Sequence, residues 1–175
     1  MRVLGVDPGS RSTGYGVVES GPGGVLVHVA SGSVAAVSGA AEPGGGLPAR
    51  LFSIWGSLGV VMDEHRPDAV SVEGLFYGMN VRSALVLGHA RGVVLLCAAQ
   101  RGLPVFEYSP SVVKQSVVGY GGASKRQVQK MVTRLLGCAE KRGADAADAL
   151  AVAICHIHHA GTERRRRAAS PAVRG

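Results

Sequence analysis

Four carboxylates stand where an ordinary soluble core has little use for them. Asp7 ends the first apolar run, Glu73 lies in a later one, and Asp145 and Asp148 sit three residues apart near the start of another. Acids at i and i+3 project from one face of a helix, where carboxylates from the ends of two neighbouring strands could meet them. Such a cluster repels itself unless cations fill it. Hard oxygen ligands with no histidine or cysteine among them select magnesium or manganese. Two such ions roughly 3.5–4 Å apart suit in-line displacement at phosphorus, one activating water and the other steadying the leaving oxygen. Each acid also has a plainer reading. Asp7 before Pro8-Gly9 is a good turn former, Glu73 could be a surface charge on an edge strand, and Asp145 with Asp148 could be a helix cap with a second acid favoured by the dipole.

Around these acids are groups suited to a nucleic-acid backbone. Gly119 to Gly122 leads into Ser124 and Gln127, an S-x-x-Q capping box, with Lys125 and Arg126 in the first turn of the helix it opens. Backbone N–H groups and two cations would face a phosphate there, and Lys114 lies just upstream. Phe76 and Tyr77 follow Glu73, where their rings could stack on an unpaired base or simply pack in the core. The run His156-Ile157-His158-His159 looks metal-like, but its side chains fan around a helix end, and favourable contact with the helix C-terminus explains them better.

The elements that must position these groups follow from periodicity. Residues 1–7 read as a buried strand stopped by a turn. Residues 14–19 and 25–37 read as two more strands, and the turn-length links between the three predict an antiparallel meander. Residues 38–46 read as a flexible connection. Leu51, Ile54, Trp55, Leu58, Val61 and Met62 recur at helical spacing, which predicts a helix over 47–65 ended near Pro67. Then come a core strand over 68–75 carrying Glu73, a long helix over about 80–101, a strand over 104–108 and a short helix over 110–118. The capped helix runs to about Leu136 and the last helix over 144–159. The tail 163–175, with Arg164 to Arg167, reads as disordered. A meander followed by alternating helices and strands predicts an α/β layer with a mixed sheet.

Length and composition bound the rest. A chain of 175 residues, 46% hydrophobic, can bury one core and favours one domain, here residues 1–160 followed by a basic tail over 161–175. The longest nearly apolar run, Val93 to Ala99, is far short of the roughly 20 residues of a membrane span. The first strand runs into a polar turn rather than a cleavage site, so the expectation is a cytoplasmic protein with no membrane partner. Cys97, Cys138 and Cys155 are odd in number and share no CxxC spacing, and read as buried thiols. The net charge of +7 is uneven: residues 82–142 hold ten basic and two acidic groups, against four and seven in residues 1–81. A basic middle block fits a phosphate-neutralising surface, although cations scattered on solvated helix faces would give the same count.

The stretch Val6 to Gly16 (VDPGSRSTGYG) resembles the opening motif of the RuvC resolvases. The likeness continues through Glu73-Gly74-Leu75-Phe76, Asn80 with Ser83-Ala84-Leu85, and Gly88 to Val93 (GHARGV). It goes on through Pro104 to Tyr108 (PVFEY), Val113 to Gly119 (VKQSVVG), Ser124 to Val132 (SKRQVQKMV) and Asp145 to Ala151 (DAADALA), all in the family's order. The resemblance implies a ribonuclease-H-like fold, a mixed five-stranded sheet flanked by helices, and magnesium-dependent cleavage of four-way DNA junctions in homologous recombination and repair. It implies that Asp7, Glu73, Asp145 and Asp148 bind the metals, that Phe76 engages junction bases, and that Lys114 and Lys125 lie near the scissile phosphate. It implies a homodimer built largely on the long helix near residues 80–101, working with the branch-migration proteins RuvA and RuvB. Some members carry histidine where this chain has Asp145; the aspartate here agrees with the all-carboxylate pattern. The segment 39–48 and everything after His159 match nothing in the family and take no function from it. Asp7-x-Gly9 also resembles the first phosphate loop of actin-like and sugar-kinase ATPases, a reading that needs a second, duplicated domain. A module that holds branched DNA without cutting it, and a general ribonuclease H, are the remaining alternatives.

Overall fold

The structure, a computed structural model, describes residues 1–9, 11–35, 46–74, 81–137 and 143–169. The meander comes first: β1 (Arg2–Asp7), β2 (Ser12–Ser20) and β3 (Leu26–Ala35) pair antiparallel, with a 3-10 turn at Pro22–Gly24 and a bulge between Val17 and Val18. Then α1 (Leu47–His65) leads to β4 (Ala69–Glu73), α2 (Val81–Ala99) to β5 (Val105–Tyr108), and α3 (Pro110–Val118), α4 (Lys125–Leu136) and α5 (Ala144–Ala169) follow. The sheet order is β3-β2-β1-β4-β5, with β4 parallel to both β1 and β5. This is the expected mixed five-stranded sheet, and Glu73 lies on an inner strand rather than an edge.

Both faces of the sheet are covered. Leu4, Val6, Val17, Val70 and Val72 pack with Ile54, Leu58 and Met62 of α1 and Val94 and Cys97 of α2. On the other face Val3 and Val18 pack with Leu150, Ile154 and their neighbours on α5, backed by α3 and α4. Strand side chains alternate, so each central strand feeds both layers and reads as a near-continuous apolar run. The helix α5 lies very close to the sheet because glycines meet it. A Cβ on Gly5 would stand 2.0 Å from the Ala149 carbonyl oxygen, and one on Gly16 would stand 2.6 Å from Leu150.

The structure corrects two expectations at the C-terminal end. The last helix does not stop at His159 but continues to Ala169, so residues 163–169 are helical rather than disordered. Arginine and alanine are good helix formers, Arg167 pairs with Glu163 one turn back at 3.1 Å, and the Thr162 hydroxyl donates to the His158 carbonyl at 2.9 Å. The histidines are therefore not at a helix end. His156 Nδ1 shares a 2.8 Å hydrogen bond with the Tyr108 hydroxyl, and His158 Nδ1 lies 3.0 Å from the Ser116 carbonyl. Cys97 and Cys155 are buried free thiols; Cys138 lies outside the described residues.

Candidate active site

Alternation along β1 and β4 decides where two of the acids point. Leu4 and Val6 face α1 and α2, while Val3 and Gly5 face α5, so Asp7 also turns toward α5. On β4, Val70 and Val72 face α1 and α2, which gives Glu73 the α5 side. The parallel register pairs Val6 with Val72, so the two acids close adjacent inner strands at the same end of the sheet. Gly14 is the antiparallel partner of Asp7, and a Cβ on it would stand 2.2 Å from the Asp145 carbonyl oxygen. The first turn of α5 is thus pressed against the Asp7–Gly14 pair, and Asp148 follows Asp145 by almost one turn. All four acids gather at one place, and each is partly buried.

The charges behave as a crowded cluster must. Burial first, then repulsion from Glu73, Asp148 and Asp145, pushes the Asp7 carboxyl up to about 7, with Lys125 opposing. Burial and Asp148 raise Glu73, against Lys125 and Lys114; burial raises Asp148, against its bond to Lys125. Lys125 Nζ lies 2.5 Å from Asp148 Oδ2, and that bond raises the ammonium in turn. Glu73, Lys114, Lys125 and Asp148 line a cleft of about 280 Å³ floored by Val113 and Val152. Among the described residues, no three His, Cys, Asp or Glu side chains close tightly enough to hold an ion between them. The acids are neighbours that repel one another, and Lys125 pairs with Asp148 alone. An all-oxygen donor set that is short of positive charge fits a hard divalent cation.

A pH dependence follows. Between its ordinary 3.8 and about 7, the folded chain keeps a proton on Asp7 that the unfolded chain has released. A native state that binds more protons loses stability as pH rises through that window, and the raised Glu73 and Asp148 act in the same sense. In chelator, the thermal midpoint should fall between about pH 4 and pH 7, and magnesium should recover the loss because it binds the deprotonated carboxylates. A flat midpoint across this range would contradict the crowded cluster.

The other expected residues divide. Lys125 opens α4 behind the expected capping box: the Gln127 N–H donates to Ser124 Oγ at 3.4 Å, and the Ser124 N–H donates to Gln127 Oε1 at 2.8 Å. Lys114, on α3, is half-buried in the same cleft. Phe76 lies outside the described residues. Sequence reasoning passed over Arg91, which sits nine-tenths buried on α2 and donates to the Glu73 carbonyl at 2.7 Å. A cation among Ala90, Val94, Cys97 and Ala98, on the inward stripe of an apolar helix, was the available signal.

Comparison with known proteins gives the chain a family. The family model described as "Crossover junction endodeoxyribonuclease RuvC" matches residues 3–156. A protein of that name from Chloroflexus aggregans is 49% identical over 94% of this chain and 98% of its own length. Another, from Trichlorobacter lovleyi, is 52% identical over 99% of this chain and 92% of its own. Among solved structures, Thermus thermophilus RuvC superposes with a TM-score of 0.82 at 35% identity, covering 93% of this chain and 97% of that one. The same protein in complex with Holliday junction substrate also superposes at 0.82. The mixed five-stranded sheet is accordingly the ribonuclease-H-like fold of RuvC, and the chain belongs to the RuvC family of crossover junction endodeoxyribonucleases.

Proposed function

We propose that this chain is a structure-selective endodeoxyribonuclease that resolves four-way DNA junctions by paired nicks, as a homodimer, in homologous recombination and DNA repair. Asp7, Glu73, Asp145 and Asp148 are the residues that would hold the divalent cations, magnesium first with manganese able to substitute. The observation that carries the reading is the convergence of these acids, drawn from three elements, in a chain of this family. When bound, the cations supply the charge that activates water and steadies the leaving oxygen. The chain's own share is positional and electrostatic. Two strand ends and one helix turn present the carboxylates, beside a cleft floored by Val113 and Val152. Lys114 and Lys125 offer fixed positive charge to a phosphate entering beside Glu73 and Asp148, and Phe76 is assigned to a junction base.

The homodimer reading is supported by α2. Val81, Leu85 and Leu96 are exposed along one stripe, where Gly88 and Gly92 leave open space that would let a second helix approach closely. By length and composition alone this helix is apolar enough to cross a bilayer, which the short apolar run did not anticipate. However, Arg91 is seated in the core on its inner face, and a second copy of the chain suits the outer stripe. Cooperation with RuvA and RuvB, and a cytoplasmic location, belong to this reading. With magnesium, the purified chain should nick a synthetic four-way junction at symmetric positions and sediment as a dimer; chelator should stop the cutting. Equal or faster cleavage of an RNA–DNA hybrid would instead make the chain a general ribonuclease H, and binding without cutting would make it a junction-holding module.

A further inference from the structure

We propose that Arg91 is a positioning residue for Glu73, tying that acid's strand end to the seat of α2. The inference rests on the reading of Glu73 as a cation ligand. Arg91 is 8% exposed. Its Nη1 donates to the Glu73 backbone carbonyl at 2.7 Å, and its Nη2 pairs with Glu107 Oε2 on β5. One side chain from α2 therefore bridges β4 and β5 at the end where the acids gather. A buried guanidinium is costly unless it is paired and hydrogen-bonded, and here two of its nitrogens are engaged by two separate strands, which ties its place to theirs.

The carbonyl it takes is special in the sheet. The β1–β4 pairing ends at Val6 and Val72, and the last β4–β5 bond runs from the Gly74 N–H to the Tyr108 carbonyl at 2.7 Å. Glu73 thus stands past its last β1 partner, and Arg91 supplies the bond that a strand would have made. The role is geometric rather than electrostatic. The charges acting on the Glu73 carboxyl are those of Asp148, Lys125 and Lys114, while the Arg91 charge is engaged by Glu107, whose side chain is 54% exposed. Without Arg91, the end of β4 and the carboxylate it carries are free to shift by the fraction of an ångström that cation coordination does not tolerate.

Three variants test this, read by calorimetric titration of manganese alone, junction binding in chelator, thermal midpoint and cleavage rate. Arg91→Met should weaken manganese binding and slow cleavage by about 10–100-fold, the range for groups that orient a metal ligand, with junction binding in chelator unchanged. Arg91→Lys should recover part of the loss, since an ammonium cannot reproduce the planar fork that serves two acceptors. Glu107→Gln, which keeps the bond to the carbonyl, should bind manganese as the parent does. Parental manganese affinity in folded Arg91→Met would overturn the proposal, and so would an equal loss in Glu107→Gln. If Arg91→Met does not fold, Arg91→Lys decides alone: weaker manganese binding at a parental midpoint supports the proposal, and parental binding overturns it. A Glu73→Gln variant separates the two layers. If it binds manganese normally, the cation-ligand reading falls; if it loses manganese while Arg91→Met does not, only the positioning role falls.

Discussion

Asp7→Asn should reduce junction cleavage by on the order of 10³-fold or more, a larger loss than the 10–100-fold of an outer-shell partner, while junction binding in chelator stays at the parental level. Asparagine keeps the shape but removes the charge that a divalent cation needs. Affinity for the junction, by contrast, would under the proposed reading come from cations such as Lys114 and Lys125 meeting phosphates. The same change should raise the thermal midpoint in chelator above neutral pH. Asp7 is half-buried among Glu73, Asp148 and Asp145, all of which push its carboxyl up, so the neutral amide relieves a repulsion that the parent endures. Activity and stability moving in opposite directions mark a site that holds strain for function. Cleavage kinetics, fluorescence anisotropy on a labelled four-way junction and thermal melts would read the three effects separately. Residual cleavage within about tenfold of the parent, a difference of about 1.4 kcal/mol, would remove Asp7 from the cation site. A matching loss of binding would refute the division between affinity and chemistry.

Gly5→Val should be the most damaging core substitution away from the acids, costing about 3–5 kcal/mol, the range of severe core strain. In a domain of this size that is a fall of roughly 10 °C or more in midpoint. The new Cβ would lie 2.0 Å from the Ala149 carbonyl oxygen and 2.7 Å from the Ala153 amide nitrogen. Both are backbone atoms, so no side chain can swing aside and α5 itself must lift. That helix carries the fully buried Leu150 and Ile154, and its first turn carries Asp145 and Asp148. Any fraction that still folds should therefore cut poorly as well. Gly5→Ala should move in the same direction, because the Cβ alone makes the clash. Gly56, on α1, is the control, since a Cβ there would meet nothing within 4 Å: Gly56→Ala should stabilise by about 0.4–1 kcal/mol through the unfolded chain. A midpoint for Gly5→Ala equal to the parent's would show that α5 does not sit this close to β1.

Much of this site is legible in the order of the residues. Local period places Asp7 and Glu73 at the ends of apolar strands and Asp145 and Asp148 on one face of a helix start. The Ser124–Gln127 box and the helix over 47–65 are readable because caps and amphipathic stripes depend only on near neighbours. The ordered motif blocks point to the family without any knowledge of the fold. Only the tertiary structure decided that β4, far along the chain, pairs parallel to β1, which turns four scattered acids into one charge-starved cluster. It also decided that Gly5, Gly14 and Gly16 are the bed of α5, that the last helix runs through the arginines, and that Arg91 holds the Glu73 carbonyl. The physical reason is the same in each case. Period, turn and cap are set by interactions within a few residues, whereas register, close approach and charge coupling arise between surfaces that exist only once the distant segments have packed.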